Sequence, residues 1–75
     1  MKVKAFGVLS DHIKEEIEVE TPISLDKLIN ALHEQYPALA KIDFQVAVNK
    51  VLQKDMSVLV SDEDEVALLP PFSGG

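Results

Sequence analysis

Apolar and polar positions alternate at the start of the chain. Val3, Ala5 and Gly7 fall on one side and Lys2, Lys4 and Phe6 on the other. A two-residue period of this kind over residues 1–9 predicts a strand with one solvated face. Ser10, Asp11 and His12 interrupt it. The alternation resumes over residues 13–20, with Ile13, Ile17 and Val19 against Lys14, Glu16, Glu18 and Glu20. Glu15 breaks the apolar side and predicts a bulge or an edge there. Two strands with a short connection predict an opening hairpin.

The period then lengthens to that of a helix. Leu25, Leu28, Ile29, Leu32 and Tyr36 recur at helical spacing, with Asp26, Lys27, Asn30, His33 and Glu34 on the other faces. Thr21-Pro22 punctuates the entry, Ser24 is placed to cap the helix, and Pro37 ends it. Residues 37–42 read as a loop or one short turn. Residues 44–48 predict a third strand, Asn49-Lys50 a tight turn, and Val51-Leu52 a brief fourth strand. An acidic turn over residues 61–64 leads to a last strand, residues 66–69, with Val66 and Leu68 inward and Ala67 and Leu69 outward. Pro70-Pro71 then stops sheet pairing, because neither residue has an amide proton. The order is that of an α+β domain, one amphipathic helix on one face of a mixed sheet. Its first and last strands are expected to be central neighbours. The domain spans residues 1–69, and residues 70–75 form a flexible tail.

Composition narrows the function classes. Seventy-five residues make one domain, which hides only about 60% of its unfolded surface. An apolar share of 47% suffices for a core without staples. The chain has no cysteine, so disulfides, thiolate metal sites and a cysteine nucleophile are excluded. Seven lysines against thirteen acids, a net charge of −6, do not supply the basic footprint of a nucleic-acid or anionic-membrane binder. No apolar run approaches a bilayer span, and the expected location is the cytoplasm. Basic surfaces are the favoured partners.

Chemistry concentrates at the end: Pro70-Pro71-Phe72-Ser73-Gly74-Gly75. The prolines stiffen its root, and six residues reach at most roughly 20 Å from the body. Without Cβ atoms, Gly74 and Gly75 pass through a slot too narrow for other residues. The carboxylate of Gly75 is then reachable at the far end, as adenylylation by a partner requires.

The whole chain resembles the MoaD family of sulfur carriers, the small subunits of molybdopterin synthase. The resemblance runs from Phe6-Gly7 through Ala47-Val48-Asn49 and Asp62-Glu63-Asp64-Glu65-Val66 to Pro70-Pro71 and Gly74-Gly75. The Pro-Pro-x-x-Gly-Gly ending is its specific part. It implies the ubiquitin-like β-grasp fold, four to five strands packed on one main helix. It also implies a cycle in which an ATP-dependent adenylyltransferase activates Gly75, the acyl-adenylate becomes a thiocarboxylate, and the sulfur is delivered to a pterin precursor. The tail (Pro70, Pro71, Phe72, Ser73 and Gly74) would thread a channel of the large catalytic subunit. That subunit would hold the catalytic residues, and the carrier would bind no cofactor of its own. Two positions depart from the family. Ser10 stands where an arginine is usual, and Asp62-Glu63-Asp64 replaces an Asp-Gly-Asp turn, which a type I turn permits.

Phe6, Leu52 and Leu69 are expected to form an apolar patch at the root of the tail, where the large subunit grips. The acidic run of residues 62–65 reads as a solvated turn able to steer a basic partner, and His12 and His33 read as surface residues. Two other functions share the tail chemistry: a carrier for thiamin, cysteine or tRNA thiolation, and a ubiquitin-like modifier or interaction module.

Overall fold

In the computed structural model, which describes residues 1–13 and 16–71, the opening alternation yields a short strand, β1 (Val3–Ala5). At Gly7 the backbone takes a φ of 63° and enters a 3₁₀ helix, Gly7–Asp11, which carries Leu9 into the core. The strand expected over residues 1–9 therefore stops early, at the one residue that adopts a left-handed φ without strain. Among the described residues the expected hairpin is reduced to a single antiparallel bridge, Lys2 to Glu16. Met1 and Ile17 exchange backbone hydrogen bonds of 3.0 and 3.1 Å there. Buried Ile17 pins the segment at that point, while Glu16, Glu18 and Glu20 stay in water and Pro22 has no amide to extend a ladder. The expectations for Glu15 and for Phe72, Ser73, Gly74 and Gly75 concern positions outside the described residues.

Strand β2 (Ile23–Ser24) runs directly into helix α1 (Leu25–Gln35), which buries Leu25, Leu28 and Leu32 as its period predicts. Ser24 has the extended backbone of an N-cap, but its hydroxyl donates to the Asp26 carboxylate and caps nothing. The helix amides find other acceptors. Leu25 N–H donates to the Val58 carbonyl (3.0 Å), Asp26 N–H to the Met56 carbonyl (2.9 Å), and Lys27 N–H to the Asp26 carboxylate (2.8 Å). Carbonyls from a distant loop thus satisfy the orphan donors that the serine was expected to serve. After Tyr36, a second 3₁₀ helix, Pro37–Lys41, buries Leu39.

Strands β3 (Gln45–Val48) and β4 (Val51–Gln53) form the expected hairpin around Asn49-Lys50, whose φ values of 52° and 71° are those of the tight turn that matches sheet twist. Strand β5 (Leu59–Val60) pairs antiparallel with β2. This small second sheet was not foreseen, because two residues per strand are too few to show a period. Strand β6 (Val66–Leu69) closes the main sheet in the order β1-β6-β3-β4, parallel to β1 and antiparallel to β3. First and last strands are neighbours as expected, but only β6 is central. Beyond β1 lies the bridge from Lys2 to Glu16. Val3, Leu9, Leu28, Leu32, Val66 and Leu68 form the dry heart of the core between sheet and helix. Among the described residues, no helix is long and apolar enough to cross a membrane.

Inward and outward residues of this sheet should differ in what they contribute to stability. Leu28→Ala, which empties a wholly buried site, is expected to cost roughly 2–5 kcal/mol in urea unfolding. Leu69→Ala, on the open face, should cost clearly less. Equal losses would contradict the assignment of faces.

Candidate functional site

The open face of the sheet is built by register. Lys4 lies opposite Ala67, and Phe6 N–H donates to the Leu68 carbonyl at 3.1 Å, which sets Phe6 beside Leu69. Ala47 lies opposite both Ala67 and Leu52, and Gln45 opposite Leu69. Two alanines, having only methyl side chains, therefore leave a hollow between taller neighbours. Phe6, Leu52 and Leu69 stand around it, with Lys4, Lys50 and Glu65 at its rim, enclosing about 320 Å³. The three residues expected to form a patch are brought together. Phe6 is 47% and Leu52 52% exposed, an unusual state for such large apolar groups standing together. Ala47, 4% exposed yet facing away from the helix-side core, was missed. Its place between the inward Val46 and Val48 was the available signal. A larger open hollow of about 580 Å³, lined by Met1, Ile17, Val19, Glu16, Glu18, Glu20 and Asp62, shares no residue with the apolar one.

The rim is ordered by polar contacts. Lys4 Nζ lies 3.1 Å from Glu65 Oε1. The Asn49-Lys50 turn is tied to the start of β6: Asn49 N–H donates to the Glu65 carbonyl (2.7 Å), and Glu65 N–H to Asn49 Oδ1 (2.9 Å). Asn49 Nδ2 donates to Asp64 Oδ1 at 3.0 Å, while Ser61 N–H donates to Asp64 Oδ2 at 2.8 Å. Asp64 N–H returns to the Ser61 carbonyl at 3.0 Å, so the acidic turn closes without glycine, as expected. The Ser61 amide, and after it the Asn49 side chain, hold the Asp64 carboxyl below the usual carboxylate range. Lys50 keeps a left-handed φ where glycine would be unstrained, and its side chain lines the rim.

At the other end of the hollow, β6 runs out into Pro70, half-buried, and Pro71, exposed. Ser10, at the position of the missing arginine, donates its hydroxyl to the Gly7 carbonyl at 2.8 Å. His12 is exposed, and His33 meets the Phe44 ring edge-on at 6.2 Å.

Comparison with known proteins gives a consistent result. The ThiS family matches residues 3–75. The molybdopterin synthase sulfur carrier subunit of Mycobacterium tuberculosis (strain ATCC 25618 / H37Rv) is 34% identical over 64 residues, covering 83% of this chain and 76% of that protein. SAMP1 from Haloferax volcanii superimposes with a TM-score of 0.74 at 23% identity, over 99% of this chain and 97% of its own. A chain of the complex of subunits 1 and 2 of molybdopterin-converting factor from Helicobacter pylori 26695 gives a TM-score of 0.66 at 25% identity, over 99% and 96%. The architecture is the ubiquitin-like β-grasp.

The clasp on Asp64 makes a pH prediction. Its folded pKa lies below its unfolded value, so its contribution is fully present above the ordinary aspartate value of about 3.9. That contribution is lost as pH falls through the folded pKa. Asp64→Asn should lower the unfolding midpoint at neutral pH, and the gap to wild type should shrink as both are titrated to acid. A gap that stays constant to acid would remove the role of the carboxylate charge.

Proposed function

Because the chain belongs to the ThiS/MoaD family of ubiquitin-like sulfur carriers, we propose that it carries sulfur for molybdopterin synthesis on the carboxylate of Gly75. The observation that carries this reading is the 34% identity to a molybdopterin synthase sulfur carrier subunit, joined to the Pro70-Pro71…Gly74-Gly75 ending. A cysteine-free chain offers no thiol of its own, and a thiocarboxylate supplies the nucleophilic sulfur.

In the proposed cycle a Gly75 carboxylate oxygen attacks the α-phosphorus of ATP on an adenylyltransferase, and pyrophosphate leaves. A reduced sulfur nucleophile then attacks the carbonyl carbon of the acyl-adenylate, and AMP departs with the bonding electrons. The thiocarboxylate enters the large subunit, where its sulfur attacks an electrophilic carbon of a pterin precursor and displaces the oxygen substituent there, which leaves with the bonding electrons. Water attacks the acyl carbon, leaving sulfur on the pterin and restoring the carboxylate. The domain supplies the grip for these steps. Phe6, Leu52 and Leu69 around an alanine floor form a socket for an apolar anchor of the large subunit. Lys4, Lys50 and Glu65 give it a polar rim. The Helicobacter complex of the two subunits supports a partner of this kind. Acid–base groups for the sulfur transfer are assigned to that partner.

Deleting Gly75, or blocking it with an uncleaved C-terminal extension, is expected to abolish adenylylation and sulfur transfer without shifting the melting temperature. Intact mass after loading should show sulfur in place of one terminal oxygen. Sulfur transfer at the wild-type rate by the blocked protein would sink the proposal, and isopeptide adducts on other proteins would favour a modifier instead.

Leu69→Glu should fold normally yet lose about 2 kcal/mol or more of binding to the large subunit, roughly a 30-fold weaker Kd. The introduced charge would have to be desolvated in an apolar socket. Calorimetry of the variant, paired with its unfolding curve, checks both halves. Wild-type affinity would remove the socket from the interface.

A further inference from the structure

The root of the tail rests on a small clamp. The last ladder bond beside β6, Phe6 N–H to the Leu68 carbonyl, lies one residue past the end of β1. The chain then turns at Gly7 with its φ of 63°. This turn sets Gly7 directly under Pro70. A Cβ built on Gly7 would lie 2.8 Å from Pro70 Cγ, 3.7 Å from Cδ and 3.9 Å from Cβ, so the proline ring occupies the space a side chain would need. Both sides of the contact are anchored. Leu9 in the 3₁₀ helix and Leu68 in β6 are wholly buried. The turn itself is closed by Leu9 N–H to the Phe6 carbonyl (3.3 Å), His12 N–H to the Leu9 carbonyl (3.1 Å) and the Ser10 hydroxyl to the Gly7 carbonyl (2.8 Å).

We infer that Gly7, held by Ser10, is a positioning residue that sets the direction in which the tail leaves the domain, acting through Pro70. The pyrrolidine ring already fixes φ at Pro70. Seating that ring on a glycine surface removes much of the freedom that remains about its bonds. Five residues follow Pro70, and they reach at most roughly 17 Å. A tilt at the root is therefore amplified at Gly75 and carries it away from the mouth of a partner's slot. A clamped root presents the tail to a partner within a narrow cone. A free root makes the partner select that direction on binding.

The inference rests on the carrier reading, and its test separates the two. Gly7→Ala, Ser10→Ala, Pro70→Gly and the Gly7→Ala/Pro70→Gly double variant are assayed for adenylylation alongside wild type, with unfolding curves for each. The clamp predicts a rise in KM of about tenfold for Gly7→Ala, the factor equivalent to ordering one backbone residue. kcat should stay within about twofold, because a threaded tail is aligned by the partner's slot. Ser10→Ala should move KM in the same direction by less.

In KM the double variant should be no worse than Pro70→Gly alone, since without the ring the added methyl has lost the Pro70 atoms it would strike. The strain of alanine at a φ of 63° appears in the unfolding curves of both Gly7→Ala proteins alike. Multiplying losses would mean that Pro70 acts only by touching the partner, and that overturns the clamp. A second readout needs no enzyme. A nitroxide on Ser73→Cys, in a chain without other cysteines, should broaden the amides of one sector of the domain. In the Gly7→Ala and Pro70→Gly backgrounds the broadening should spread over several faces. An unchanged footprint overturns the clamp whatever the activity. A changed footprint with no adenylylation of wild type overturns the carrier reading and leaves the clamp standing.

Discussion

The parallel pairing of β1 with β6 is the contact on which the rest of the molecule depends. Val3, Lys4 and Ala5 lie opposite Val66, Ala67 and Leu68, which joins the two ends of the domain in one ladder. Closing so long a loop is less prohibitive than its length suggests, because closure entropy grows only with the logarithm of loop size. A parallel pair needs a crossover, and α1 provides it, packing Leu25, Leu28 and Leu32 over the inner face. With β3 on its other edge, β6 is one of the two interior strands of the sheet. Its position determines where the chain leaves the domain and which residues surround the exit.

Because β6 is interior, its two faces do different work. Val66 and Leu68 are sealed against the helix, while Ala67 and Leu69 face outward next to Ala47, Leu52 and Phe6. An apolar group left in water on that face destabilises little in the free domain and becomes useful only when a partner covers it. The same separation appears in charge. The acids Glu16, Glu18, Glu20 and Asp62 gather around Met1, whereas the apolar hollow carries two lysines and one glutamate at its rim. The net charge of −6 is therefore not spread evenly over the surface.

Loops and the first turn of α1, rather than the core, carry the ionised groups that hold local structure. Asp64 clasps the turn before β6, Asp55 accepts from the Ser57 hydroxyl and amide, and Asp26 accepts from Ser24 and Lys27. Each carboxyl is held below its usual range by these bonds, led by the Ser61 amide, the Ser57 hydroxyl and the Ser24 hydroxyl respectively. All three contributions are of the sign that fades toward acid. The dry core has no part in this. No buried polar or charged residue is present among the described residues.

Residue patterns alone determined the helix, the β3–β4 hairpin, and the inward and outward faces of β6. In each case the signal lies within a few residues: a 3.6-residue period, a pair of turn formers, or an alternation at period two. The gathering of Phe6, Leu52 and Leu69 followed once first and last strands were taken as neighbours. What local pattern did not reveal depends on groups distant in the chain. The strand expected over residues 13–20 became, among its described residues, one bridge, since alternation predicts a face but not whether a neighbour has edge to spare. Ser24 lost its capping role because the carbonyls of Met56 and Val58 reached the helix amides first. The β2–β5 sheet consists of two two-residue strands that carry no period. The seat of Pro70 on Gly7 arises only when residues 63 positions apart are brought within van der Waals contact. Local periodicity records which side of an element meets the core, whereas the identity of its neighbours is decided by packing the whole chain.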